Sequence, residues 1–204
     1  MGDIMKLEAK TITNDLEYLR QISEEVDLND PKLHDYIKML KEYFEIESAL
    51  AMAAVQVGIP KRLIYIRNTD QNDLENKEKD EARVLINPKI IRRTGHTRYW
   101  ENCVSCRDLM GLVDRAYEIE LEYYLEGGTL KREIFTGFEA TVLQHEYDHL
   151  DGILHIDKAV QIYNLPLAKR REFRELLPNG GYEIISKEGD FIETENKLLN
   201  LKIN

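Results

Sequence analysis

The stretch Gln144-His145-Glu146-Tyr147-Asp148-His149-Leu150-Asp151-Gly152 constrains this chain more than any other. Its H-E-x-x-H core sets two imidazoles four residues apart with a carboxylate beside the first, a pattern suited to a metal ion and a general base. On an α-helix, at about 100° per residue, His145 and His149 fall within about 40° of each other. Ala140, Leu143, Tyr147 and Leu150 centre on the opposite side. Such a helix has two faces to cover, an apolar one that packs and an imidazole one that can hold a metal. Two surface histidines on an amphipathic helix are the plain alternative. Gly152, just past the last apolar residue, is placed to end the helix.

The rest of the chain suits a folded domain around that helix. At 204 residues with no linker-like stretch, one domain spanning 1–204 is expected, its last part, 178–204, a tail of uncertain structure. Hydrophobic residues make up 43% and charged residues 32%, and no apolar run approaches the roughly 18 residues of a membrane span. Residues 1–10 are too polar for a signal peptide and too poor in Arg and Ser for a transit peptide. The only cysteines, Cys103 and Cys106, are three apart, which argues against a disulfide-stapled secreted scaffold and for metal binding or chemistry. A reducing compartment, cytoplasmic or organellar, is expected. The net charge of −10 argues against a dedicated nucleic-acid binder while leaving room for a local basic patch.

In chain order, Asn14 is placed to cap a first helix carrying Leu16, Leu19, Ile22 and Val26, with Glu17 three residues on. Asp30-Pro31 opens a second helix with Leu33, Ile37, Leu40 and Phe44 at helical spacing. The small, uncharged run 48–56 ends at Gln56 and suits packing with close backbone approach. Residues 63–66 read as a strand, 71–81 as a charged surface loop, and 84–87 as a strand stopped by Pro88. Tyr117, Ile119, Leu121, Tyr123 and Leu125 alternate with Glu118, Glu120 and Glu122, the period of a half-buried strand. Glu126-Gly127-Gly128-Thr129 turns it into a partner strand through Ile134. Beyond the histidine helix, 153–156 reads as extended. Residues 166–177 read as a helix whose Lys169, Arg170, Arg171 and Arg174 form a solvated basic face.

Two imidazoles leave a metal site incomplete, and cysteine is the natural third ligand. One thiolate with two histidines leaves a tetrahedral position open for a water, which the metal acidifies toward a pKa of about 7. A fourth protein ligand closes the site and makes it structural. Spacing leaves both arrangements open. Cys103 and Cys106 with His145 and His149 form a closed Cys2His2 set, though the gap from Cys106 to His145 far exceeds that of a zinc finger and Glu146 then has no task.

Three segments, in order, resemble the motifs of peptide deformylases, the enzymes that remove the formyl group from the initiator methionine of nascent chains. Gln144 to Gly152 matches the family's Q-H-E-x-D-H-L-x-G at every fixed position. Glu101-Asn102-Cys103-Val104-Ser105 is similar to E-G-C-L-S, and Ala49-Leu50-Ala51-Met52-Ala53-Ala54-Val55-Gln56 to G-x-G-x-A-A-x-Q. The likeness runs loosely over residues 13–177. The expected fold is α+β, with mostly antiparallel sheets around a central metal-bearing helix, N-terminal helices and a C-terminal helix. The resemblance implies Cys103, His145 and His149 as ligands and Glu146 as general base and acid. It implies the Gln56 side-chain amide and the Val104 backbone N–H as oxyanion donors. On the same likeness Glu101 is expected to pair with Arg115 behind the ligands, and Ala51, Thr141 and Val142 to line the substrate site. The implied cofactor is one divalent ion, Fe2+ first, with Zn2+, Ni2+ or Co2+ as alternatives. The implied partners are N-formylmethionyl nascent peptides and, through the basic helix, the ribosome near its exit tunnel. Competing readings are an inert relative or structural zinc protein that binds peptides, and an H-E-x-x-H metalloprotease, whose third ligand usually lies downstream.

Three positions depart from the family pattern: Ala49 and Ala51 stand in place of glycines, as does Asn102 before Cys103. If the backbone there is left-handed, each alanine costs up to about 1–2 kcal/mol and its methyl crowds the cleft. In ordinary helical or extended geometry the alanines bring no strain. His34, His96 and His155 have no motif context and read as structural or exposed, and Cys106 as a small buried residue.

Overall fold

The computed structural model describes residues 9–47, 49–67 and 82–193; Ser48, the loop expected at 71–81 and the end of the tail lie outside them. Helix α1 (Leu16–Leu19) is one short turn that starts at Asp15, not Asn14, and lacks a side-chain cap. The Asp15 carboxylate is drawn backwards instead, accepting the Thr11 N–H at 3.1 Å and Lys10 Nζ at 2.9 Å. The helix therefore stops early and leaves Ile22 exposed, while Val26 is buried in the irregular passage that follows. Asp30 opens the turn before α2 (Leu33–Glu47) by accepting the Lys32 N–H at 2.8 Å. Leu33, Ile37, Leu40 and Phe44 are buried, as their spacing requires.

Among the described residues eight strands, all paired antiparallel, form one branched sheet: β1 (Ala51–Ala53), β2 (Leu63–Ile66), β3 (Arg83–Asn102), β4 (Leu109–Arg115), β5 (Glu118–Tyr124), β6 (Leu130–Thr136), β7 (Gln161–Asn164) and β8 (Tyr182–Asp190). The main path is β1-β2-β3-β4-β7, with β5 and β8 also on β3 and β6 on β5. The uninterrupted apolar run of β2 is explained by cover on both faces. Leu63 and Tyr65 join the cluster of α2, where Phe44 meets Tyr65 edge-on at 4.7 Å between centroids. Ile64 and Ile66 join the cluster of α3 (Gly137–Leu150), the histidine helix. The β5–β6 hairpin forms as its alternation dictates, with Ile119, Leu121 and Tyr123 buried.

Three expectations are corrected. Pro88 does not end a strand, because β3 runs through it in a bulge where the register shifts between Ile86 and Lys89 and a missing N–H costs little. Asn87, at φ 51°, stabilises the bulge by pairing its side chain with the Val26 backbone, at 2.8 Å to the N–H and 2.9 Å to the carbonyl. Residues 153–156 are not extended: α4 (His155–Lys158) starts there, its first turn closed by Asp157 accepting the Leu154 N–H at 2.7 Å. The tail contributes β8, which lies along β3 from Thr94 to Tyr99. Helix α5 (Leu167–Glu175) precedes it.

Candidate active site

Where β3 ends, Cys103 caps a tight turn, Val104–Cys106, its sulfur accepting the Ser105 N–H at 3.4 Å. Helix α3 is fixed against the β4–β5 corner by Gln144, whose Oε1 accepts the Ala116 N–H at 3.0 Å and whose Nε2 donates to the Ala116 carbonyl at 2.9 Å. Docked this way, the helix aims both imidazoles at the turn. Sγ of Cys103 lies 3.2 Å from Nε2 of His149, and Cys103, His145 and His149 each present a donor atom within 4.8 Å of the other two. Donors on one tetrahedral ion, at about 2.3 Å for sulfur and 2.0 Å for nitrogen, stand roughly 3.5 Å apart, so the set fits a single divalent ion. Cys106 is outside it, and the closed Cys2His2 arrangement is not formed among the described residues.

Behind these donors runs a buried chain of charges. Oε2 of Glu101 lies 2.7 Å from Nδ1 of His145, and Arg115 grips the same carboxylate with Nε at 2.8 Å and Nη2 at 3.0 Å. Nη1 of Arg115 turns to Asp148, which also receives Lys158 Nζ at 2.9 Å. Burial opposes ionisation of Glu101, yet Arg115 and His145 outweigh it and hold its carboxyl far below the ordinary range. Burial likewise opposes the charge on Asp148, and Arg115 with Lys158 overcomes it. Burial disfavours protonated His145 too, but the Cys103 sulfur and Glu101 raise its imidazole well above the ordinary value. On the free side of the helix, Oε2 of Glu146 accepts the Ala53 N–H at 2.8 Å, and burial above all pushes this carboxyl up to about 7. The same N–H reaches Oε1 of Gln56 at 2.9 Å, which leaves Nε2 of Gln56 directed at Cys103 Sγ and Ser105 Oγ, 3.3 Å from each.

Gln56, Glu101, Cys103, His145 and Glu146 line a cleft of about 530 Å³ together with Leu50, Ala51, Phe138, Thr141, Val142 and Leu167. The polypeptide deformylase family model matches residues 9–164. The peptide deformylase of Helicobacter pylori is 32% identical over 159 residues, covering 78% of this chain and 86% of that protein. That of Christiangramia forsetii is 32% identical over 192 residues, covering 90% and 92%. The chain belongs to the polypeptide deformylase family. Among solved structures, the probable peptide deformylase of Synechococcus phage S-SSM7 is similar at a TM-score of 0.67 and 33% identity, over 75% of this chain and 99% of that one. The Met-Ala-Ser-bound class I type b peptide deformylase of Acinetobacter baumannii is similar at 0.65 and 28%, over 74% and 97%.

Within this deformylase fold, the substituted positions carry no left-handed strain. Asn87 and Asn179 are the only non-glycine residues at positive φ among those described, so Ala49, Ala51 and Asn102 sit in ordinary backbone. Asn102 has a use of its own, its Oδ1 accepting Nη2 of Arg174 at 2.6 Å. The basic helix is also corrected, because only part of it is a solvated face. Arg170 and Arg174 share the side of α5 that turns toward the rest of the fold, while Leu167 at its start stays exposed at the cleft. Arg174 donates to the Trp100 carbonyl at 2.8 Å and lies 4.5 Å over the Tyr99 ring, while Arg170 is only 7% exposed and lines the cleft. Lys169 and Arg171 keep the expected exposure, paired with Glu172 and Glu175.

Of the remaining histidines, His34 is exposed and His96 lies 3.1 Å from Asp114. His155 is fully buried, and burial, then His145, pushes its imidazole down to about 4. Sequence reasoning missed the second grip of Arg115 on Asp148, the Lys158 contact and the docking role of Gln144. The available signal was that Gln144 and Asp148 are both fixed letters of the third motif.

Proposed function

We propose a division of labour in this site for the reaction of its family, hydrolysis of the formyl group from the N-terminal formylmethionine of newly made polypeptides with release of formate. Cys103, His145 and His149 hold one divalent ion, Fe2+ in preference to Zn2+, Ni2+ or Co2+. The convergence of one sulfur, two imidazoles and a buried carboxylate at the end of an apolar-lined cleft carries this reading. A divalent ion so held supplies Lewis acidity, polarising a carbonyl and lowering the pKa of a water from 15.7 toward about 7.

The residues do the rest. Glu146, oriented by the Ala53 N–H, takes the proton of the attacking water and delivers it to the departing amine. Gln56 Nε2, oriented through the bond of Ala53 to its Oε1, donates to the developing oxyanion. Val104 adds its backbone N–H, since the first N–H groups of a helical turn have no acceptor within it. Glu101 and Arg115 hold His145 with Nε2 toward the sulfur. Because the Ala53 N–H points away from β2, alternation turns the backbone of Ala51 the same way, so a peptide can pair with this edge as an added strand. Thr141 and Val142 line the pocket for the methionine side chain. The Acinetobacter enzyme, bound to Met-Ala-Ser, holds a tripeptide of the kind such a reaction leaves.

We place the reaction in the cytoplasm, where nascent chains emerge. No helix among the described residues is long and apolar enough to cross a membrane. The exposed Lys169 and Arg171 give α5 a basic outer edge for ribosomal RNA near the exit tunnel, a contact that weakens with salt. Loss of ribosome co-sedimentation in Lys169→Glu/Arg171→Glu supports that contact, and unchanged co-sedimentation removes it. For the chemistry, formate release from a formylmethionyl tripeptide is measured against bound metal. Release that rises in step with the ion supports the assignment, and release independent of metal overturns it.

A further inference from the structure

Cys106 and His155 have no task in that reaction, yet the fold buries both completely beside Cys103. Cys103, Cys106 and His155 each offer a donor atom within 4.8 Å of the other two. The turn after β3 folds Cys106 back under Cys103, its N–H donating to the Cys103 carbonyl at 3.1 Å. Helix α4 brings His155 from the opposite side. Asp157 fixes the start of that helix through the Leu154 N–H and an ion pair to Arg20 at 2.8 Å. Gly111 on β4 gives it room: a methyl there would stand 3.1 Å from Cδ2 of His155 and 2.7 Å from the Ala159 methyl.

The surroundings are apolar, with Leu19, Leu154 and Ile156 in the same cluster as the two cysteines. Among the described residues neither ring nitrogen of His155 forms a hydrogen bond of good geometry, although the Leu109 backbone acts on the ring. Unsatisfied buried nitrogens are costly, and the one on this ring that carries a lone pair can be satisfied by an ion shared with the two sulfurs. Two thiolates and an imidazole form a soft donor set of the kind that selects thiophilic ions.

We propose that Cys103, Cys106 and His155 form a second metal site, for a thiophilic divalent ion such as Zn2+ or Cd2+, sharing the Cys103 sulfur with His145 and His149. Binding releases the Cys106 proton and turns the Cys103 thiolate into a bridge. The second ion then draws on the sulfur that holds the first, so its arrival weakens the grip on the catalytic ion. The inference rests on the functional reading only through Cys103 as a ligand.

The experiment counts ions. Holoprotein is titrated with Cd2+ without oxygen, and total bound metal is measured after desalting together with sulfur-to-cadmium charge-transfer absorbance. The wild-type chain is expected to take up a second equivalent with a further rise in absorbance. Cys106→Ser and His155→Phe are expected to stop at the first. Cys106→Ser, close to isosteric, carries the test if His155→Phe does not fold. Wild-type protein that saturates at one equivalent overturns the proposal, as does a second equivalent bound undiminished by Cys106→Ser. Loss of the first ion as well from Cys106→Ser also overturns it, because the two sets then do not act separately. Failure of the functional reading is seen elsewhere, as metal-independent formate release.

Discussion

Oε2 of Glu101 lies 2.7 Å from Nδ1 of His145. A carboxylate there holds a proton on Nδ1, so that Nε2 is the nitrogen left for a metal, and such a partner raises the basicity of a histidine that binds one. Glu101→Gln is expected to lower metal affinity by about 10–100-fold, read by competition with a chelator.

Arg115 links two buried carboxylates, Glu101 and Asp148. Removing one partner of a buried ion pair leaves uncompensated charge, so Arg115→Met is expected to destabilise the fold by about 3–5 kcal/mol in urea denaturation. Asp148→Asn should cost less, because Arg115 keeps both of its bonds to Glu101.

A pH dependence follows from Asp114. Burial raises its pKa, but Arg98 at 2.6 Å and His96 at 3.1 Å outweigh that and hold the carboxyl below its ordinary value. The folded state therefore binds this proton more weakly than the unfolded chain. Asp114 contributes stability above its unfolded pKa of about 3.9, and that contribution is lost as pH falls through the lower folded value. Asp114→Asn is expected to be less stable than the parent at neutral pH and to show a shallower loss of stability toward acid in pH-dependent melting.

Ala49 and Ala51 occupy ordinary backbone, so restoring glycine relieves nothing. Each Ala→Gly change adds unfolded-state entropy, worth roughly 0.5–1 kcal/mol for Ala51 within β1. The double variant should melt lower and show no gain in kcat/KM. A clear gain with formylmethionyl peptides would point to a crowded cleft instead.

What could be read from the sequence divides along physical lines. The β5 strand, the β5–β6 hairpin and α2 announce themselves by local periodicity, because each buries one face or one stripe against a neighbour, whereas the histidine helix is buried on nearly every side and was legible through its motif. His145 and His149 stood out as a candidate pair because their spacing sets both on one side of a helix, whereas Cys103, in the turn after β3, came from the likeness to the family's second motif. Pro88 misled because its missing N–H falls in a bulge stabilised by Asn87, whose partner Val26 is far back in the chain. Arg170 and Arg174 look like solvent charges until the fold lays α5 against Tyr99, Trp100 and Asn102. Cys106 and His155 are silent for the same reason: only the close seat of α4 on Gly111 brings them together.

The account stands most directly on Glu146, the carboxylate held by the Ala53 N–H at the edge of the ligand set. The decisive measurement is formate release from a formylmethionyl tripeptide by Glu146→Gln, with bound metal counted in the same sample. The amide keeps the shape but cannot accept a proton, so the variant is expected to retain its ion and lose about 10²–10⁴-fold in kcat. A variant that keeps its ion and turns over within about twofold of the parent would contradict the assignment, since a lost general base cannot leave the rate so nearly intact.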